Sequence, residues 1–112
     1  MKIAISSTTE KLDSQIDETF GRCPYFIIAE VKDGKMGEIE AVKNKITDQA
    51  SGAGISSAQL VAEKKVEAVI TGNVGPRAFD VLNQFGIKIY AGQGTVKEAV
   101  QNFIDKKLEE IK

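Results

Sequence analysis

Residues 67–76 read Glu-Ala-Val-Ile-Thr-Gly-Asn-Val-Gly-Pro and decide the fold. Glu67–Thr71 has the composition of a strand and stops at Gly72. Gly75-Pro76 then opens a helix, because proline is tolerated in the first turn, where its missing N–H would have no intrahelical partner. A strand, a glycine turn and a helix in this order predict one unit of a parallel sheet.

The residues that follow repeat this alternation. The helix is expected to end at Gly86, which suits the left-handed conformation of a C-terminal cap, and Ile87–Ala91 is predicted to be the next strand. Thr95 and Glu98 have the spacing of a capping box. They predict a last helix with an apolar stripe of Val96, Ala99, Val100, Phe103, Ile104 and Leu108.

Upstream, the pattern predicts three strands and then a helix. Asp33-Gly34 is a strong hairpin signal between strands two and three. Residues 10–24 are irregular and charged, residues 44–54 are expected to form a mobile loop, and from Ile55 the apolar residues recur with helical spacing. The three predicted strands are Lys2–Ser7, Tyr25–Lys32 and Met36–Lys43.

This element order predicts an α/β fold. The first three strands can form an antiparallel meander, whereas the later strands need helical crossovers and therefore run parallel. The expected sheet is mixed and five-stranded, with order 3-2-1-4-5, strand two antiparallel to the rest and helices on both faces. A length of 112 residues predicts a single domain over residues 1–112.

Composition excludes several classes of function. Fifteen basic and sixteen acidic residues give a net charge of −1, so no global field favours nucleic acid or a membrane surface. No apolar run approaches the ~20 residues that span a bilayer. Histidine is absent, which excludes His-based acid–base chemistry and His metal ligands. One cysteine and no recognisable export signal predict the reducing cytoplasm.

The predicted topology brings the chemistry-bearing loops to one edge of the sheet, which we call the functional edge. Open α/β sheets bind ligands beyond the carboxyl ends of their parallel strands, near a switch point, here between strands one and four. Strand two enters from the same edge, which places Arg22 and Cys23 there. The strand exits at this edge are Ser6–Thr9, Asn44–Gly54, Gly72–Gly75 and Gly92–Thr95.

The turn Gly72-Asn73-Val74-Gly75 is a candidate anion site. Glycine allows close approach of the backbone, and a following helix N-terminus offers free N–H groups and a partial positive charge. The alternative is that a strand-to-helix turn simply needs glycine. Neither this turn nor Gly92–Thr95 matches a phosphate-binding or dinucleotide motif.

Cys23 is a candidate metal ligand. A thiolate near Arg22 and helix N-termini would have a depressed pKa and could ligate a metal or cluster; the alternative is a small buried apolar residue without chemistry. One thiolate cannot hold an ordinary iron–sulfur cluster, which needs about four ligands. A cluster would therefore arrive preassembled, be shared across a dimer, or be held partly by backbone N–H groups and Arg22.

Other charged residues carry weaker signals. Arg22 and Arg77 are the two arginines of the chain, and the arginine fork suits multi-oxygen anions; Arg77 is interpreted as a surface residue. Asp13, Asp17 and Glu18 could suggest magnesium, but they are predicted to lie in a solvated loop without a strand-borne carboxylate partner.

Longer segments resemble a known family. They comprise Ile16-Asp17-Glu18-Thr19-Phe20-Gly21-Arg22-Cys23-Pro24-Tyr25-Phe26, Gly52-Ala53-Gly54-Ile55, Ala68-Val69-Ile70-Thr71-Gly72-Asn73-Val74-Gly75-Pro76-Arg77-Ala78-Phe79 and Leu82-Asn83-Gln84-Phe85-Gly86-Ile87. Together they resemble the dinitrogenase iron–molybdenum cofactor biosynthesis family, over nearly the whole chain. The resemblance implies a ribonuclease-H-like, three-layer α/β/α fold. It also implies non-enzymatic binding or carriage of an iron–sulfur or molybdenum–iron–sulfur cluster or its precursor, between metal-cluster donor and acceptor proteins.

Carried onto this chain, the resemblance implies that Arg22 and Cys23 of the first motif, and Gly72, Asn73 and Gly75 of the second, contact the cluster. Cys23 is the expected metal ligand. The rival hypothesis is a cofactor-free protein-interaction or regulatory domain. A nuclease is the third hypothesis. Two-metal phosphoryl chemistry needs converging carboxylates, and strand one offers Ser6 and Ser7 instead. Charged residues along strand three discourage edge pairing, which predicts a monomer or a weak homodimer.

Overall fold

The computed structural model describes residues 1–44 and 52–112, which form a mixed sheet and three helices. The prediction of a loop at residues 44–54 falls mainly on residues 45–51, outside the described residues. None of the helices in the described part of the chain is long and apolar enough to cross a membrane. In chain order the elements are β1 Lys2–Ser7, β2 Tyr25–Lys32, β3 Lys35–Lys43, α1 Ala53–Glu63, β4 Ala68–Thr71, α2 Pro76–Gln84, β5 Lys88–Ala91, α3 Val96–Ile104 and β6 Glu109–Glu110.

The sheet has the strand order β3-β2-β1-β4-β5-β6. As predicted, β2 runs antiparallel to β1 and β3, while β4 runs parallel to β1 and β5. The predicted five-stranded sheet is wrong in its strand number, because β6 adds an antiparallel sixth strand beside β5. The mixed α/β class is confirmed, and the ribonuclease-H-like description stays a prediction.

The sixth strand arises because α3 ends earlier than its apolar stripe predicts. The helix stops at Ile104, and Lys106 adopts a left-handed conformation with φ of 60°. This residue reverses the chain without a glycine, so the sequence carries no clear stop signal. Leu108 is therefore not a helical residue, although it still packs against the core that α3 covers.

Two cores cover the two faces of the sheet. Inward and outward side chains alternate along each strand, so Ala4 and Ile28 face α1 and α2, whereas Ile3 and Ile5 face α3. The aromatic rings of Phe20 and Phe26 belong to the first core, 5.2 Å apart between centroids. Helices thus lie on both faces, as predicted.

Tight turns with left-handed residues connect the elements at the edge of the sheet opposite the functional edge. Asp33 and Gly34 have φ values of 55° and 74°, the double left-handed conformation of a tight hairpin turn. Gly86 has φ of 74° after the last turn of α2. These two predictions from sequence are confirmed.

The capping box of α3 is formed as predicted, and it makes a first test of the fold. Thr95 Oγ1 accepts a hydrogen bond from Glu98 N at 3.1 Å, and Glu98 Oε1 accepts one from Thr95 N at 3.0 Å. The bonds from Thr95 also lower the pKa of Glu98. We expect Thr95→Ala to lower the free energy of unfolding by about 1 kcal/mol, measured by urea denaturation. Gln93→Ala, which truncates an exposed polar side chain outside any helix, is the control, and an equal loss in both variants would contradict the capping role.

Candidate functional site

The segment Leu12–Phe20 crosses the carboxyl ends of β1, β4 and β5, and we call it the strap. Its backbone forms isolated bridges that join Ile16 to Ser7, Gln15 to Thr95, and Thr19 to Asn73. Further bonds run from Ile16 N to Gly94 O at 2.9 Å and from Phe20 N to Asn73 O at 3.1 Å. The sequence predicted this segment to be a solvated loop, whereas the structure ties it across the strand ends.

Buried hydroxyl groups and one glycine hold the strap against the sheet. Ser6 Oγ lies 2.8 Å from both Thr71 Oγ1 and the backbone oxygen of Asp17. A Cβ atom on Gly72 would lie only 2.8 Å from the Cα atom of Glu18. Gly72 therefore permits the close approach of strap and strand, which is a structural reason for this glycine.

Within the described part of the chain, the strap separates two cavities at the functional edge. The first, which we call the arginine cleft, lies between the N-termini of α1 and α2 and has a volume of about 380 Å³. Both arginines of the chain line it. Its lining residues are Gly21, Arg22, Gly52, Ala53, Gly54, Ile55, Gly75, Pro76, Arg77 and Ala78.

The arginine cleft has the electrostatics of an anion site. The first N–H groups of a helix have no intrahelical acceptor and carry partial positive charge. The N-cap residues of α1 and α2, Gly52 and Gly75, supply no side-chain hydrogen bond, and neither helix has an acidic residue in its first turn. By contrast, α3 has both a side-chain cap and Glu98. Within residues 1–44 and 52–112, the two helices that open into the cleft therefore present N-termini with neither a side-chain cap nor an acidic residue in the first turn.

The second cavity, which we call the amide cavity, lies on the other side of the strap and has a volume of about 520 Å³. Amide side chains, glycines and one carboxylate, Glu18, line it, and lysine and arginine are not among these residues. It therefore offers less to an anion than the arginine cleft. Its lining residues are Gln15, Ile16, Glu18, Gly72, Asn73, Ala91, Gly92, Gln93 and Gly94.

Cys23 lies in neither cavity. Its side chain is fully buried in the core between the sheet and helices α1 and α2, where Sγ donates to the backbone oxygen of Phe20 at 3.2 Å. Burial, with a smaller contribution from the carboxylate of Asp17, raises the pKa of this thiol to about 12. The predicted depression of the pKa is wrong, because the arginine and the helix ends face the cleft and the sulfur faces the core.

The predicted contact residues therefore separate into three environments. Arg22 and Gly75 meet in the arginine cleft, Gly72 and Asn73 line the amide cavity, and Cys23 is in the core. The predicted single pocket that joins Cys23 to residues 72–75 is not formed.

The sequence interpretation missed Arg77 as a site residue. It lines the cleft together with Arg22, although 55 positions separate the two in the sequence. A signal was present, because Arg77 stands immediately after Gly75-Pro76, in the first turn of a helix at the functional edge.

A ligand set for a bare metal ion is lacking among the described residues, where no group of three or more His, Cys, Asp or Glu side chains converges. The chain as a whole has no histidine and one cysteine. The arginine cleft can therefore contact an anion through N–H groups and guanidinium groups, but it offers no thiolate or imidazole to a metal.

The raised pKa of Cys23 predicts a loss of stability in alkali. Below the ordinary value of 9.0 the thiol is neutral in both the folded and the unfolded chain, whereas between 9.0 and about 12 only the unfolded chain ionises. The contribution of Cys23 to the free energy of unfolding should therefore fall as pH rises above 9, by up to ~1.4 kcal/mol per pH unit. Urea unfolding of the wild type and Cys23→Ala from pH 7 to 10.5 measures the difference, and parallel pH curves would contradict it.

Comparisons with known proteins agree with the sequence resemblance. Residues 1–106 match the family described as "Dinitrogenase iron-molybdenum cofactor". The chain is 35% identical over 112 residues to an uncharacterised protein of Methanocaldococcus jannaschii, covering 99% of this chain and 92% of that protein. The apo form of the orange protein from Desulfovibrio gigas superimposes with a TM-score of 0.89 at 34% identity, over 98% of this chain and 92% of the other. A Thermotoga protein described as a candidate NifB protein has a TM-score of 0.83 at 38% identity, over 97% and 91% of the two chains.

Proposed function

Because the chain belongs to the dinitrogenase iron–molybdenum cofactor family, we propose that it is a non-enzymatic carrier of an anionic metal–sulfur cluster, or of a precursor of such a cluster. The cargo is an iron–sulfur or molybdenum–iron–sulfur species, and it occupies the arginine cleft. The observation that carries this proposal is the convergence of Arg22, Arg77 and two uncapped helix N-termini on one cavity.

The donor groups of the cleft favour a preassembled cargo. Ligation by Cys23, whether alone or shared across a dimer, is disfavoured because the thiol is buried and has a pKa of about 12. Guanidinium and backbone N–H groups donate hydrogen bonds, and they suit the sulfide or oxide surface of a cluster that already has its full set of ligands. Arg22 and Arg77 therefore replace Cys23 as the principal contact residues in this proposal.

The expected free energy of cargo binding is typical of a transient complex rather than of long-term storage. A hydrogen bond to a charged partner contributes about 1.5–3 kcal/mol, and at an open surface the lower end of that range applies. A few such bonds give a complex that forms readily and dissociates on contact with an acceptor. The partners are accordingly a donor protein that assembles the cluster and an acceptor that receives it, in the reducing cytoplasm.

The proposal is tested by anion titration under anaerobic conditions. Tetrathiomolybdate is the simplest molybdenum–sulfide anion, and reconstitution with iron and sulfide provides the iron–sulfur arm. We expect saturable binding to the wild type with a change in the absorption spectrum, and binding within about twofold for Cys23→Ala. The absorption spectrum and metal content of anaerobically purified protein identify the native cargo.

Two outcomes would contradict the proposal. Absence of binding to both metal–sulfur probes would favour the cofactor-free interaction domain, whose test is capture of a defined partner without a cluster. Loss of binding in Cys23→Ala, with a retained fold by circular dichroism, would show that the thiol ligates the cargo.

A further inference from the structure

Asn44 is a buried amide behind the arginine cleft. It follows the last residue of β3, and only 2% of its surface is exposed. Its Nδ2 atom lies 2.9 Å from the backbone oxygen of Cys23 and 3.3 Å from that of Gly21. It also lies 3.2 Å from Ser57 Oγ on α1. One side-chain amide therefore connects the end of β3, the loop before β2 and the first helix.

The two carbonyl groups that Asn44 contacts stand on either side of Arg22. Ser57 Oγ donates a second bond to the oxygen of Gly21 at 3.1 Å. The backbone N–H of Asn44 donates to the oxygen of Pro24 at 2.8 Å. The backbone at residues 21–24 is thus held at three carbonyl groups, and the one charged residue in this run is Arg22, which lines the cleft.

The acceptors of these bonds fix the orientation of the Asn44 amide. Its Oδ1 atom is buried and has no hydrogen-bond partner among the residues that the structure describes. Exchange of the two amide ends would point oxygen at the carbonyl oxygens of Gly21 and Cys23, which cannot donate. A buried unpaired acceptor is unfavourable, so the contacts of Nδ2 outweigh it. Asn44 acts in this structure as a donor to the loop.

We infer that Asn44 is a positioning residue that holds Arg22 in the arginine cleft. Asn44 does not line the cleft, so it acts through the loop backbone rather than by touching the cargo. Its effect on cargo affinity rests on the proposed function, whereas its effect on the Arg22 loop does not. Residues that orient a metal ligand typically change affinity 10–100-fold when they are replaced, and the lower end of that range applies to Asn44 because it acts through one arginine.

The first experiment uses the ligand-free protein. Asn44→Leu keeps a similar side-chain volume but removes the donors. Val100→Ala, which truncates a buried side chain of α3 on the opposite face of the sheet, is the control for lost stability. We expect backbone ¹⁵N order parameters at residues 21–23 to fall from about 0.85 to below about 0.6 in Asn44→Leu, and to stay unchanged in Val100→Ala.

Ser57→Ala provides a milder variant if Asn44→Leu fails to fold. It removes the second bond to the Gly21 carbonyl and leaves the bond from Asn44 to Cys23. We expect a smaller fall in the same order parameters. Unchanged order parameters at residues 21–23 in the folded Asn44 variant, or in Ser57→Ala when only that variant folds, would overturn the inference.

The second experiment measures tetrathiomolybdate affinity in the same proteins. We expect a loss that approaches the roughly tenfold loss expected for Arg22→Gln in Asn44→Leu, and a loss of less than about twofold in Val100→Ala. Equal affinity in Asn44→Leu and the wild type would overturn the positioning role and leave the proposed function standing. Absence of binding to the wild type would contradict the proposed function, and the order parameters would then decide the role of Asn44.

Discussion

Replacement of both arginines by glutamine, Arg22→Gln with Arg77→Gln, is expected to weaken tetrathiomolybdate binding about 100-fold or more. Both arginines line the same cleft. Each charge-assisted hydrogen bond contributes at least about 1.5 kcal/mol, which corresponds to about tenfold in affinity. Titration by absorbance gives the dissociation constants. The single variants should each lose about tenfold.

A matched double variant tests whether net charge alone accounts for this expected loss of affinity. Lys97→Gln with Lys107→Gln removes the same two charges from exposed positions outside the cleft. We expect the lysine double variant to bind tetrathiomolybdate within about twofold of the wild type. Added salt should lower the affinity of both proteins equally, because it screens the same cleft. Equal losses in the two double variants would mean that net charge, rather than the arginine cleft, attracts the anion.

Gly21→Ala is expected to lower the free energy of unfolding by about 1–3 kcal/mol. An added Cβ would lie 2.9 Å from the Cα and N atoms of Gly54 at the start of α1. Backbone atoms there cannot move aside as the end of a side chain can, and insertion of a methyl group into a filled space typically has this effect. The same displacement moves one wall of the cleft, so anion affinity should fall as well. Thermal and urea unfolding measure the stability change.

Gly37→Ala is the matched control for this variant. An added Cβ at Gly37 in β3 would meet the nearest atoms of Glu30 at 3.7 Å, an ordinary contact. We expect unchanged or slightly raised stability, because alanine reduces the entropy of the unfolded chain. A Gly21→Ala protein as stable as Gly37→Ala would show that the loop and α1 are not tightly packed at Gly21.

The sequence predicted the elements from β1 to β5 well and the segment after α3 less well. Period-two and helical patterns are local, so β1 and β2 match their predicted bounds and β4, α2 and β5 differ by a residue or so. The sixth strand was missed because it consists of two acidic residues, Glu109 and Glu110, with no strand pattern. Only the left-handed turn at Lys106 and pairing with β5 create it.

The candidate site was predicted in its location but not in its membership. Topology alone placed Arg22 and the glycine turn at residues 72–75 on one edge of the sheet. The direction of each side chain could not be read from the sequence. Arg22 and Cys23 are adjacent, yet the first lines a cleft and the second is buried in the core.

The amino-acid sequence by itself determined the α/β class, the family and the edge of the sheet at which the candidate site lies. These follow from short-range periodicity, from glycine and proline positions and from the rule that parallel strands share one carboxyl edge. Tertiary structure alone decided that the strap divides this edge into two cavities, that Arg77 joins Arg22, and that the thiol of Cys23 is buried. These features depend on contacts between residues far apart in the chain, such as Thr19 with Asn73 and Gly21 with Gly54. Packing fixes such contacts, and no local pattern encodes them.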